Sequence, residues 1–148
     1  MPLCSDKLIH LHVGNRLDNF TYYCGSCAIK QSSVVTDLGV SYNNNLSYRP
    51  HVESVCKKAN SLCAMIFRSF ESRDPMLLIS LFNVYVRPHL EYASPVWSPH
   101  MKCDITCLEK VQRGFTKRIP SLLHLSYSER LVALRTKSLL HCRLFLDL

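Results

Sequence analysis

The alternation of polar and apolar positions changes rhythm once along this chain. Up to Tyr48 the apolar residues come in short runs rich in β-branched and aromatic side chains, each stopped by turn formers. Leu8-Ile9-His10-Leu11-His12-Val13 is one such run, closed by Gly14-Asn15, and Phe20-Thr21-Tyr22-Tyr23 is another, stopped by Cys24-Gly25-Ser26. Runs of this length between glycine, serine and asparagine predict strands. A hairpin is expected between Tyr23 and Cys27, with Cys27-Ala28-Ile29-Lys30 as its return strand. Val34-Val35 then leads through the Asp37-Leu38-Gly39-Val40 turn region to Asn43-Asn44-Asn45, a polar loop that ends the β part.

From Arg49 the period becomes helical. Val52, Val55, Cys56, Ala59, Leu62, Cys63, Ile66 and Phe67 recur at three- and four-residue spacing, which lays one apolar stripe along a helix of about five turns. Lys57, Lys58 and Arg68 fall off that stripe. Asp74-Pro75 marks a new start, because aspartate caps a helix and proline is tolerated in its first turn. Residues 76–86 are nearly all apolar, so this second helix is expected to be the most buried element. Arg87-Pro88 should end or kink it, since proline has no amide to donate. Residues 89–99 carry the only tryptophan and are expected to form a short helical turn and an ordered loop against the core, with Tyr92 and Trp97 as core residues.

Asp104 is expected to cap a third helix running through Ile105, Leu108, Val111, Gln112 and Phe115 to Ile119, where Pro120 stops it. Ser126-Tyr127-Ser128-Glu129 has the spacing of a capping box at the head of a fourth helix over 129–134. Ser138 opens a last helix that reaches Leu148, and a helix still running at the final residue predicts a piece of a longer protein. The fold class that follows is α+β: a short β-rich segment over 1–48, then a mainly helical bundle over 49–148.

Composition agrees with a packed chain. Hydrophobic residues make up 47% of the 148 and charged residues 20%, which is globular and not disordered usage. The opening residues lack the apolar core of a secretory signal, and no run reaches the roughly 18 apolar residues of a membrane span. An intracellular, reduced protein is therefore expected, with Cys56, Cys63 and Cys142 serving as small hydrophobes. The formal charge is +7, and it is unevenly placed. Three bases balance three acids before Arg49, whereas fifteen bases face eight acids from Arg49 onward. A surplus of this kind suits a partner carrying phosphates.

Catalytic chemistry is poorly represented. Nucleotidyl transfer on two metal ions needs two or three converging carboxylates, and the eleven acids never occur as an Asp-Asp pair. Cys24-Gly25-Ser26-Cys27 has zinc-knuckle or redox spacing, and Cys103 with Cys107 could add two thiolates. With no second Cys-x-x-Cys, a hairpin turn that happens to hold two cysteines is the better reading, and metal binding there stays open. No glycine-rich phosphate loop occurs. On the third helix, Lys110, Arg113, Lys117 and Arg118 follow i, i+3, i+7 and i+8, so they are expected to share one face. A charged stripe on a rigid rod suits a phosphate backbone, and a solubilising helix face is the equally weighted alternative.

The same residues carry a resemblance. Asp37-Leu38-Gly39-Val40, Leu46-Ser47-Tyr48 and Cys56-Lys57-Lys58-Ala59-Asn60 resemble, in order, a passage downstream of the palm in reverse transcriptases of jockey-like non-LTR retrotransposons. The run Tyr85-Val86-Arg87-Pro88-His89-Leu90-Glu91-Tyr92-Ala93-Ser94-Pro95-Val96-Trp97-Ser98-Pro99 looks like the most diagnostic block of that family. Leu108-Glu109-Lys110-Val111-Gln112-Arg113 with Phe115-Thr116-Lys117-Arg118, and Leu125-Ser126-Tyr127-Ser128-Glu129-Arg130-Leu131, are similar to two further blocks. Lys7 to Gly14 resembles the strand that follows the family's catalytic strand.

What the resemblance implies is the end of a palm over 1–48 and a thumb-like region over 49–148, truncated at its C-terminus. Such a fragment of an RNA-directed DNA polymerase would hold an RNA/DNA template-primer duplex without catalysing extension. Magnesium would belong to the missing palm, so no cofactor is expected here, nor a small-molecule substrate, nor a membrane. The expected phosphate contacts are Lys57, Lys58, Lys110, Arg113, Lys117 and Arg118. Gly114 stands where the family usually has a second arginine, which lowers helix propensity by roughly 1 kcal/mol relative to alanine. The competing expectation is a non-catalytic helical protein-interaction module derived from a transposable element.

Overall fold

The computed structural model describes residues 8–14 and 20–146. Lys7, Asn15 and the end of the last helix at Leu148, which entered the reading above, lie outside those residues. The chain is α+β and divides into two compact units, Met1–His51 and Val52–Leu148.

Among the described residues of the first unit, six short strands form three separate pairs. β1 (Ile9–Leu11) runs parallel to β4 (Lys30–Ser32), β2 (Tyr23–Cys24) pairs antiparallel with β3 (Cys27–Ala28), and β5 (Val34–Asp37) pairs antiparallel with β6 (Val40–Asn43). The expected hairpin is present, with Cys24 opposite Cys27 across a Gly25-Ser26 turn. Gly25 has φ +63, a conformation that glycine adopts without a Cβ penalty. The return strand is shorter than expected, because Ile29 separates Cys27–Ala28 from Lys30–Ser32. The 34–43 stretch is a second full hairpin rather than a lead into a loop, turning at Leu38-Gly39, where both residues have positive φ. Asn43 closes it: its side-chain Oδ1 accepts the amides of Asn45 and Ser47, at 3.1 and 2.8 Å. The Asn43 side chain thus adds to the backbone bonds of the turn, among them Leu46 N–H to the Asn43 carbonyl at 2.9 Å.

The second unit is helical. α1 (Arg49–Ser69) begins just before the boundary between the units and buries the stripe of Val52, Cys56, Ala59, Cys63, Ile66 and Phe67. Arg73 folds back over its end, donating Nη2 to the Phe67 carbonyl at 3.2 Å and Nη1 to that of Phe70. Carbonyls that a helix terminus leaves orphaned are satisfied in this way. α2 (Pro75–Leu81) is capped as expected, with the Leu77 amide donating to Asp74 Oδ2 at 2.8 Å.

The region after α2 departs from expectation. Of the two outcomes expected at Arg87-Pro88, the helix does not end there; a π turn over Phe82–Val86 passes directly into α3 (Arg87–Glu91). Arg87 N–H donates to the Phe82 carbonyl five residues back. In a regular helix the Pro88 ring would collide with the Val84 carbonyl, and the wider π register relieves that collision. Nor is 76–86 the most buried element. Leu78, Ile79, Phe82 and Val86 are buried, while Met76, Val84 and Tyr85 are exposed, Met76 at 51%. A nearly all-apolar sequence, interrupted only by Ser80 and Asn83, therefore folds as a one-sided helix here.

Ala93 takes a left-handed conformation, φ 52, and α4 (Ser94–Trp97) follows as a single turn. Trp97 is 1% exposed, its indole N–H donates to the Tyr92 carbonyl at 2.7 Å, and the Arg143 guanidinium lies 5.0 Å from its ring. Tyr92 itself is 58% exposed, against the expectation of a core role, because the left-handed Ala93 turns the chain and leaves its ring outside. Arg87 pairs with Glu91 at 2.8 Å, and Arg143 Nη2 donates to the Leu90 carbonyl at 2.8 Å.

The N-cap position of α5 (Lys102–Lys117) is Met101, which makes no side-chain cap hydrogen bond, and Asp104 instead lies in the first turn, where it complements the positive end of the helix dipole. A 3-10 turn (Pro120–Leu122) follows, then α6 (Tyr127–Ala133) and α7 (Leu139–Leu146), the latter with the Ser138 hydroxyl accepting the His141 amide at 3.2 Å. Phe115 is the centre of the core, its ring 5.0 Å from that of Phe67 and 4.8 Å from that of Phe82. Cys56 and Cys107 sulfurs lie 3.5 Å apart, and Arg118 reaches Phe67. These contacts advance in the same sense along both chains, so α1 and α5 run side by side in the same direction.

The capping box is complete. The Ser126 hydroxyl accepts the Glu129 amide at 3.4 Å and Glu129 Oε2 accepts the Ser126 amide at 2.7 Å. Those hydrogen bonds hold the Glu129 carboxyl below its ordinary value. A carboxyl depressed on folding stabilises the fold above its unfolded-state pKa, and the contribution is lost as pH falls through its folded value. Ser126→Ala is expected to cost about 1 kcal/mol at neutral pH and to flatten the acid limb of the stability curve, as read from thermal melts between pH 7 and pH 3.

Candidate nucleic-acid interface

One side of α5 is fixed before its charges are considered. Leu108, Val111 and Phe115 are buried, and so is Gln112, whose side-chain Nε2 donates to the Lys137 carbonyl at 3.0 Å and ties α5 to the loop ahead of α7. Thr116 is buried beside them, so with the helix rotation locked in this way the positions on the opposite side must face outward.

Lys110, Arg113 and Lys117 are all exposed. At about 100° per residue they fall within roughly 60° of arc, opposite the buried face. Arg118 is also exposed but lies about 100° round the helix from Lys117. It caps the helix end, and its guanidinium sits 4.1 Å from the Phe67 ring centre. The expected four-charge stripe is thus three charges, with the fourth turned onto α1, because even regular helical spacing carries position i+8 about 80° away from Lys110. Lys117 and Arg118 at a helix C-terminus also complement its negative dipole end, a structural role that needs no ligand.

Lys57 and Lys58 are exposed on α1, on consecutive positions and so about 100° apart around it. They flank the apolar stripe rather than forming a second row. Among the described residues, none of Lys57, Lys58, Lys110, Arg113, Lys117 and Arg118 has a carboxylate within ion-pairing distance.

Two residues that sequence reasoning did not assign to the interface prove to shape it. Tyr127 donates its hydroxyl to Glu109 Oε1, and its ring lies 4.7 Å from the Arg113 guanidinium. Burial, and then the hydrogen bond to Glu109, push the phenol well above its usual range, so it remains a donor. Glu109 Oε2 in turn accepts the Leu140 amide at 3.4 Å. A cation–π contact of this kind fixes Arg113 without neutralising it. The capping-box spacing places Tyr127 at the head of α6, but nothing in the sequence signals a partner eighteen residues earlier.

The thiols offer little chemistry. Burial pushes Cys63 up to about 12 against the opposing pull of Arg118, and burial with the neighbouring Cys107 pushes Cys56 up to about 12. Both remain protonated at neutral pH, and thiols are neither nucleophiles nor metal ligands until deprotonated. Cys24 and Cys27 face each other across the first hairpin, and among the described residues no three metal-binding side chains come together. No helix among them is long and apolar enough to cross a membrane.

The chain is 31% identical over 113 residues to the uncharacterized protein B0403.1 of Caenorhabditis elegans, covering 74% of this chain and 57% of that protein. It therefore spans little more than half the length of the relative it matches. No family model matches it, and no solved structure matches it.

Proposed function

We propose that this chain is a fragment of a non-LTR retrotransposon reverse transcriptase that grips a template-primer duplex and polymerises nothing on its own. The observation that carries the reading is the exposed Lys110-Arg113-Lys117 face of α5, whose orientation is locked and whose charges no carboxylate among the described residues neutralises. Such a face binds phosphates by displacing counterions, without reading bases. The ordered blocks that resemble the family supply the context. Arg118, Lys57 and Lys58 act as outlying contacts that add affinity without defining a groove.

The test is binding of the 148-residue chain to a labelled RNA–DNA duplex by fluorescence anisotropy at rising salt. The three phosphates held by α5 alone should make affinity fall about 40-fold between about 50 and 200 mM salt, the outlying contacts should steepen that fall, and affinity should change little with sequence. Absence of salt-sensitive binding to any duplex rejects the reading, and primer extension above background rejects its non-catalytic part.

A second reading has its own observation. Val84, Tyr85, Tyr92 and Val96 are large, exposed and close in the chain, at the π turn and the segment after it. Exposed apolar residues grouped in this way suit a protein partner, and a helical interaction module would use them. Replacing Val84 and Val96 by serine should leave duplex binding unchanged if the first reading holds.

A further inference from the structure

We infer that a cleft beside the basic face of α5 takes one unpaired nucleobase, so that the chain prefers a duplex bearing a single-stranded overhang to a blunt one. The inference rests on the polyanion-binding reading above and adds a second determinant to it.

The cleft has a volume of about 350 Å³ and opens between α5, the head of α6 and the start of α7, lined by Ile105, Glu109, Lys110, Arg113, Tyr127 and Leu140. That size is at the small end of ligand clefts, about 300–1,000 Å³, and suits one planar ring system. Its walls divide by chemistry. Ile105, Leu140 and the Tyr127 ring are apolar, whereas Lys110 and Arg113 also belong to the basic face. Lys110 and Lys117 stand about 10 Å apart along the helix axis, so a strand laid on them passes the cleft mouth.

Glu109 decides which part of that strand enters. Its carboxylate, held in the wall by Tyr127 and the Leu140 amide, repels a phosphate or an acidic side chain and accepts hydrogen bonds from the edge of a neutral base. The phosphate stays outside on Lys110 and Lys117. Arg113, fixed over Tyr127 at 4.7 Å yet exposed, offers a guanidinium of the kind on which unstacked bases settle.

The experiment compares three probes of one duplex sequence by anisotropy at constant salt: blunt, with a short overhang, and with the same overhang made abasic. Accommodating one base is expected to tighten the overhang probe about tenfold over the blunt one. The abasic overhang should bind like the blunt probe. Thr106→Trp, at an exposed position on the cleft rim, should remove the gain and leave blunt-duplex binding within about twofold. Equal affinity for all three probes, or a full gain retained by the abasic probe or by Thr106→Trp, overturns the inference while blunt binding still stands. Loss of blunt binding in the unmodified chain would instead strike the proposed function. A polyglutamate peptide that competes only with the overhang probe would assign the cleft to an acidic partner and overturn the base.

Discussion

Trp97→Ala is expected to destabilise the helical unit by about 3–5 kcal/mol, because it empties a fully buried site that also carries two polar contacts. Total stabilities of domains are about 5–15 kcal/mol, so the variant should be largely unfolded at modest denaturant. Three losses coincide at this position. A fully buried indole is removed, leaving a cavity in the core. The Tyr92 carbonyl loses its donor at 2.7 Å. Arg143, buried and bound to the Leu90 carbonyl, loses the ring beneath its guanidinium. Urea titration followed by far-ultraviolet circular dichroism measures the shift, and Trp97→Phe, which keeps much of the volume, should recover about half of it. A midpoint for Trp97→Ala equal to that of the unmodified chain would refute the assignment of Trp97 to the core.

Phe115→Ala should cost about as much, roughly 3–5 kcal/mol, and it should also abolish duplex binding. Phe115 meets Phe67 of α1 and Phe82 of the π turn on the inward side of α5, while Lys110, Arg113 and Lys117 occupy the outward side. Paired rings contribute about 0.5–1.5 kcal/mol beyond the area they bury, and the substitution removes both pairs at once. The charges are untouched, so any loss of binding comes from loss of the rod that aligns them. Circular dichroism and anisotropy on the same sample separate the causes. Helix content and binding should fall together for Phe115→Ala, whereas Lys117→Gln should weaken binding with helix content unchanged.

Much of this organisation can be read from the chain because local chemistry alone decides it. The stripe from Val52 to Phe67, the Asp74 and Ser126 caps and the Tyr23–Cys27 hairpin each follow from side chains a few residues apart. What escapes is decided by distant partners or by backbone geometry. The apolar run 76–86 carries no charged residue to mark its outer face, so Val84 and Tyr85 look like core until the π turn turns them outward. Tyr92 and Trp97 sit in one block and have opposite fates because Ala93 is left-handed between them, and alanine gives no warning of positive φ. The parallel pairing of β1 with β4 joins residues twenty-one apart, which no hairpin rule anticipates. Among the candidate contacts, the i, i+3, i+7 spacing places Lys110, Arg113 and Lys117 on one exposed face, as the structure has them. Arg118 breaks the pattern because the i+8 position lies about 100° round the helix from Lys117, and its guanidinium rests on Phe67 instead.

The block most like the retrotransposon family, 85–99, also acquires a physical meaning. Arg87 pairs with Glu91, Pro88 imposes the π turn, and Trp97 locks onto the Tyr92 carbonyl. These contacts hold the unit together, while the cations lie on α5 and α1. The proposed binding role therefore rests on the exposed cations and not on this block.

The slope of log affinity against log salt, measured on one duplex for the unmodified chain and for Lys110→Gln/Arg113→Gln/Lys117→Gln, tests that face most directly. Three phosphate contacts at about 0.9 each predict a slope shallower by about 2.7 in the triple variant, with its melting temperature preserved. Identical slopes for the two proteins would contradict the account, because the polyanion would then be held somewhere else.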